Sequence, residues 1–153
     1  MNAFRSRGAR ALVVLHEREL RAFLATWRSA RAVGLVLDPD PDPSYASMEA
    51  LLRHVLRAAR GYLIWTCEVL ALPDPVVEPA PEPADLAAAP EAFLEHVLLR
   101  WRAGLAGADG ALLEATEAKS RWGATYCADA MLEHAVMHPL RHRFQLEERL
   151  GGR

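Results

Sequence analysis

The sequence has two cysteines, one lysine, no excess of positive charge and no long apolar run, and each shortage removes a class of protein. Cys67 and Cys127 are too few for a disulfide framework and neither lies in C-x-x-C spacing, so a reducing cytoplasm is the expected home. The formal net charge of −2 argues against a nucleic-acid or anionic-membrane partner. Arg5, Arg7 and Arg10 form a basic cluster too small to change that reading. Lys119 stands alone against seventeen arginines, a bias that reflects genome composition or heat adaptation more than any ligand. The apolar stretch from Ala9 to Leu15 is broken at once by His16, Glu17 and Arg18. It is too short for a secretory segment or a bilayer span, so a soluble protein is expected. No stretch alternates as a half-buried strand does, and no internal repeat is visible.

What the chain does have is helical patterning, with 52% of its 153 residues hydrophobic, enough for one domain with a continuous core. Nine of its ten prolines fall in "DPDPDPS" at 38–44 and in the run from Pro73 to Pro90, and these divide the helical blocks. Leu12, Leu15, Phe23, Trp27 and Ala30 predict a first amphipathic helix over 9–32, ending near Gly34. Ser44 or Ser47 caps the second, which carries Met48, Leu51, Leu52, Val55, Ala59, Tyr62 and Leu63 to about Leu72. A Pro-rich connection of about seventeen residues follows, longer than a tight antiparallel hairpin needs, and it predicts a crossover to a more distant or parallel position. Pro90 opens a third helix through Trp101 and Leu105, and Gly104, Gly107 and Gly110 mark its end. Residues 111–123 are ambiguous, and a final helix runs from a Thr125 cap to Leu150. The expected fold is all-α, a four-helix bundle with a long connection between the second and third helices.

Three of the six histidines crowd one stretch, "HAVMHPLRHRFQL" at 134–146. At about 100° per residue, His142 and His138 face the interior and His134 lies at its margin. On the second helix His54 sits among small neighbours such as Ser47, Ala50, Ala58 and Gly61, which leaves room for a cavity. An i, i+4 pair of imidazoles plus a third from a facing helix supplies three nitrogen ligands and an open position, as in catalytic metal sites. The other reading is that interior histidines are hydrogen-bonded core residues, and H-x-x-x-H spacing also arises by accident.

"SMEALLRHVLRAARGYLIW" followed by "MLEHAVMHPLRHRFQLEERL" resembles the DinB/YfiT-like superfamily of bacterial four-helix bundles. His54 matches the family's second-helix L-L-x-H position, and His138, His142, Arg143 and Gln145 match its final H-x-x-x-H-R-G-Q pattern. The resemblance implies that His54, His138 and His142 bind a divalent metal, zinc or nickel, with water completing the sphere. It further implies a small-molecule substrate, frequent homodimers and, in members of known activity, transfer of a low-molecular-weight thiol such as bacillithiol, or mycothiol-dependent isomerisation. On that reading an incoming thiol, or a water, is the group made nucleophilic at neutral pH. Gln145 and Arg141 flank the ligands and are candidates to orient a substrate. The alternatives are a non-catalytic metal-binding or dimeric stress-associated bundle, and a metal-dependent hydrolase.

Two departures from the family pattern stand out. Phe144 replaces a small residue on the far side of the helix, which suggests a partner or dimer surface. Pro139 removes an N–H and crowds the preceding turn at a cost of about 3 kcal/mol in a regular helix. Either the helix kinks at His138 and opens the bundle at the metal, or the site has degenerated; retention of all three histidines favours the kink. His134 replaces His138 if the last turn rotates. His16 and Glu19 lie near the apolar face of the first helix, as further ligands' partners or as satisfied core groups. His96 is expected in solvent. Cys67 and Cys127 lie too far along their helices to join the metal, and Trp65, Trp101, Trp122 and Tyr62 read as bundle core or rim.

Overall fold

Ser6 starts the first helix, its hydroxyl accepting the Ala9 N–H at 3.2 Å, and α1 then runs over Arg7–Ala32. The remainder, in a computed structural model that describes residues 4–152, follows in order as a 3₁₀ turn at Pro43–Tyr45, α2 at Met48–Val69, α3 at Pro83–Ala88, α4 at Pro90–Leu105 and α5 at Gly110–Ala115. A two-stranded antiparallel hairpin, β1 at Glu117–Lys119 and β2 at Thr125–Cys127, leads into α6 at Ala128–Gly151. The fold is all-α apart from that hairpin. Of the two serines offered as caps for α2, Ser47 serves, accepting from Ala50 N–H at 3.0 Å.

Contacts fix the helix directions. Arg28 pairs with Glu91, Arg21 with Glu95 and Arg102 with Glu17, so α4 runs antiparallel to α1. Trp101 Nε1–H donates to the Ala59 carbonyl at 3.0 Å, while Gly104 approaches Leu63 and Cys67, which sets α4 parallel to α2. The connection from α2 to α4 makes this possible by retracing α2 from its C-terminal end. Arg60 Nε–H donates to the Val77 carbonyl at 2.9 Å, and Arg53 Nε–H to the Pro81 carbonyl at 2.7 Å. The expected parallel crossover is present, and it carries the short helix α3 within it. His96, expected in solvent, is half-buried and anchors this strap by accepting the Glu78 N–H at 3.0 Å.

Finally, α6 packs most extensively on α1, parallel to it, and lies antiparallel to α2. Leu20, Phe23, Trp27, Leu52, Leu56, Leu63, Leu98, Trp101 and Met131 fill the space between the four long helices with almost no exposure. Among the described residues no helix is long and apolar enough to cross a membrane.

The ambiguous region 111–123 resolves into α5 and the hairpin, which the absence of strand alternation had not predicted; three-residue strands are too short to show a period. Thr125 is accordingly not a helix cap: it lies in β2, and Cys127 occupies the cap position without a side-chain bond. α2 stops at Val69 rather than Leu72 because the chain turns left-handed at Ala71.

The ends of α1 and α2 show the same closure with different residues. After α1, Leu35 N–H bonds the Ala30 carbonyl and Gly34 N–H the Arg31 carbonyl, with Gly34 at φ 66°. After α2, Leu72 N–H bonds the Cys67 carbonyl and Ala71 N–H the Glu68 carbonyl, but the left-handed residue is Ala71, at φ 51°. An alanine there carries a Cβ clash that glycine lacks. Ala71→Gly is therefore expected to stabilise the protein by about 1 kcal/mol, read as a higher urea midpoint at unchanged slope, whereas Gly34→Ala lowers it.

Candidate functional site

The antiparallel contact of α2 with α6 brings His54 opposite His138 and His142. One nitrogen from each of the three imidazoles lies within 4.8 Å of the others, a group that could hold a metal ion. The His54 and His138 Nε2 atoms are 3.1 Å apart, one donating its proton to the other's lone pair. The ring centroids of His138 and His142 are 4.7 Å apart, as i, i+4 neighbours on one helix face should be. His142 Nδ1–H donates to Gln145 Oε1 at 3.1 Å, which fixes its tautomer and leaves Nε2 buried, deprotonated and without a partner.

Burial sets the charge state of the cluster. Desolvation, reinforced by the neighbouring imidazoles, pushes the His138 pKa down to about 2 and that of His142 to about 4. His54, less buried, is lowered by the same cause; Asp42 opposes the shift while Arg141 and Arg57 add to it. All three rings are therefore neutral at pH 7 and offer lone pairs rather than protons. An all-imidazole donor set with no carboxylate suits zinc, nickel or copper rather than magnesium or calcium.

The proline does not separate the ligands. α6 is helical throughout Ala128–Gly151, and Pro139 is buried inside it, so the lost N–H costs one bond to the Ala135 carbonyl without ending the helix. His134 stays out of the group. Half-buried, it stacks on Trp122 at a centroid distance of 5.3 Å and meets Tyr62 and Tyr126 edge-on. Of the two flanking residues, Gln145 touches a ligand ring directly, whereas Arg141 is exposed and acts on the imidazoles through its charge.

Neither residue of the first helix joins the site. Glu19 is 3% exposed and held by Arg18 and, across the α1–α6 contact, by Arg143, each at 3.1 Å. That ion pair gives the Arg143 of the family-like pattern a tethering task one residue beyond His142. His16 lies against Trp101 of α4 at 4.0 Å between centroids, with both nitrogens buried and unpartnered. Cys67 is buried, its thiol pushed up to about 11 by desolvation, and it is absent from the ligand group.

Sequence reasoning missed Tyr45. The "DPDPDPS" stretch reads as punctuation, yet Asp42 accepts the Ser44 N–H at 2.8 Å and sets up the 3₁₀ turn that places the Tyr45 ring 6.1 Å from His54 and 5.9 Å from His142. Alternating Asp and Pro announce a turn but not what it covers. Tyr62 was assigned to the core or rim; it is buried and also walls the site, 5.7 Å from His138.

The isolation of His16 gives a pH test that the ligand group does not confuse. Its folded pKa is pushed down to about 3 by burial, below the 6.5 of an unfolded histidine, so the native state binds fewer protons between those limits. The stability tied to neutral His16 is present above pH 6.5 and falls as the pH drops below it. His16→Leu should reduce the loss of stability between pH 8 and pH 5 by roughly 2 kcal/mol, measured by urea unfolding at both pH values.

Compared with models of known protein families, with curated proteins and with solved structures, the chain has no significant match to any of them.

Proposed function

We propose that this protein is a divalent-metal-dependent enzyme of the DinB/YfiT-like kind, which uses His54, His138 and His142 to hold zinc or nickel and transfers a low-molecular-weight thiol to a small electrophile. The observation that carries the reading is the buried, unpartnered Nε2 of His142 beside the paired Nε2 atoms of His54 and His138. An imidazole nitrogen left without a partner in a protein interior costs about 1–3 kcal/mol, and a metal at this position would use the lone pair that nothing in the chain satisfies.

The roles of the chain's own groups follow from their contacts. Gln145 holds the His142 ring through Nδ1 and so keeps its lone pair aimed inward. Tyr45 and Tyr62 cover the imidazoles from two sides and limit water. Arg143, paired to Glu19, ties the ligand-bearing turn of α6 to α1. His54, His138 and His142 would hold the divalent ion, which would supply Lewis acidity to lower the pKa of a thiol.

The four-helix arrangement, with α1 and α6 parallel and α2 and α4 parallel, supports the family reading. The exposed Met137 and Phe144, on one face of α6, support a homodimer. A reducing cytoplasm fits the two free cysteines.

Elemental analysis of untagged protein, purified without chelator and loaded with divalent metals, should show near-stoichiometric ion in the parent and its loss in His138→Ala. Conjugation of a small thiol to a generic electrophile should require both the ion and His54. Activity persisting in His54→Ala would overturn the catalytic reading, turnover without thiol would point to hydrolysis, and metal binding without turnover would leave a non-catalytic metal-binding bundle.

A further inference from the structure

Each ligand histidine borders a different opening, and the openings differ in charge. The cavity of about 570 Å³ at His142 is edged by Asp38, Asp40 and Glu148, with Arg149 already paired to Asp38 at 2.8 Å. The recess of about 300 Å³ at His54 has no carboxylate in its lining. It carries Arg57, Arg60 and Arg121, and its walls are Tyr62, Trp65 and Trp122.

The local structure assembles this recess from two elements. α2 supplies Arg57 and Arg60, three residues apart and so on one side of the helix, with Gly61 between the aromatic and cationic walls. The β1–β2 hairpin supplies Arg121 and Trp122 from its tip. Trp65 Nε1–H donates to the Lys119 carbonyl at 3.1 Å and clamps the hairpin to α2. Gly123, at φ 91°, allows the tip to turn back. Arg121 then lies across α2 at Gly61, where even a methyl group would come within 3.7 Å of its Nη1. Trp122 is stacked on His134 yet remains 52% exposed.

Among the described residues most arginines that border the bundle's seams are paired with carboxylates, but Arg57 and Arg121 are not. Arg60 is held through Nε by the Val77 and Glu78 carbonyls at 2.9 and 3.0 Å. Three guanidinium groups without an opposing carboxylate raise the local positive potential, and their planar donor edges match a carboxylate. Indole and phenol walls favour a flat apolar body beside it.

We propose that this recess binds an organic carboxylate with a flat, apolar body, the acid group held by Arg57 and Arg121 and the body laid against the wall that Tyr62 and Trp122 form, their rings meeting edge-on at 6.3 Å, with its far end directed at His54. The inference deepens the proposed function, since it gives the small electrophile of that reading its chemical class. The acid-edged opening at His142 would repel the same anion, and the opening at His138 carries one arginine, Arg141, against the three that line the recess at His54.

The test is calorimetric titration of the whole protein with 2-naphthoate and with its neutral analogue 2-naphthalenemethanol, on chelator-treated and on zinc-loaded protein. Naphthoate should bind one per chain, about tenfold or more tighter than the alcohol, the worth of one charge-assisted contact. Arg57→Gln and Arg121→Gln should each weaken naphthoate by about tenfold without affecting the alcohol, and Trp122→Ala should weaken both ligands. All three positions are exposed, so circular dichroism should show these variants folded. Equal affinity for acid and alcohol, or naphthoate binding unchanged in both arginine variants, would overturn the proposal. Naphthoate binding by a protein that takes up no zinc would leave the recess standing and remove the metal; zinc uptake without naphthoate binding would do the reverse.

Discussion

Packing α2 antiparallel to α6 forces three imidazoles into one small, poorly solvated volume, and the rest of the site answers to that. Three positive charges there would repel one another and lose their hydration, so the rings are held neutral. Neutral rings must place their lone pairs and protons somewhere. The His54–His138 contact and the Gln145 acceptor account for part of that demand, and the buried Nε2 of His142 and Nδ1 of His138 are the remainder.

That contact in turn depends on the long connection between α2 and α4. A short hairpin would have placed α4 antiparallel to α2. The proline-rich strap instead returns along α2, bonded by Arg53, Arg60 and His96, so that α2 and α4 run together and α6 closes the bundle against α1 and α2. Its cost is left-handed backbone at Ala71, where the strap leaves the helix, and at Val76 within it. The segments that looked like mere spacers are thus tied into the architecture: one retraces α2, another sets Tyr45 over the imidazoles, and the hairpin sets Trp122 over His134.

Much of this was legible before any coordinates. Apolar spacing located the long helices within a few residues, because a buried stripe on a helix must repeat every three or four positions. Helical phase also put His138 and His142 inside and His134 at the edge, as found. His16 and Glu19 show the limit of the method. Both lie on a buried face as expected, but phase gives a direction from one helix axis and not the neighbour that stands there. His16 met Trp101, and Glu19 met Arg143. The hairpin was illegible for a different reason, since a strand of three residues contains no period to detect.

The sequence by itself determined the helical class, the helix ends near Ser44 or Ser47 and near Gly34, and the identity of the three histidines that come together. These follow from interactions over one or two turns, which neighbouring residues specify. Only the tertiary structure decided that His54 and His138 face each other with their Nε2 atoms 3.1 Å apart, and that arginines from α2 and from a hairpin sixty residues away share one recess. Those are distances between separate elements, set by how their surfaces pack, and no local pattern encodes them.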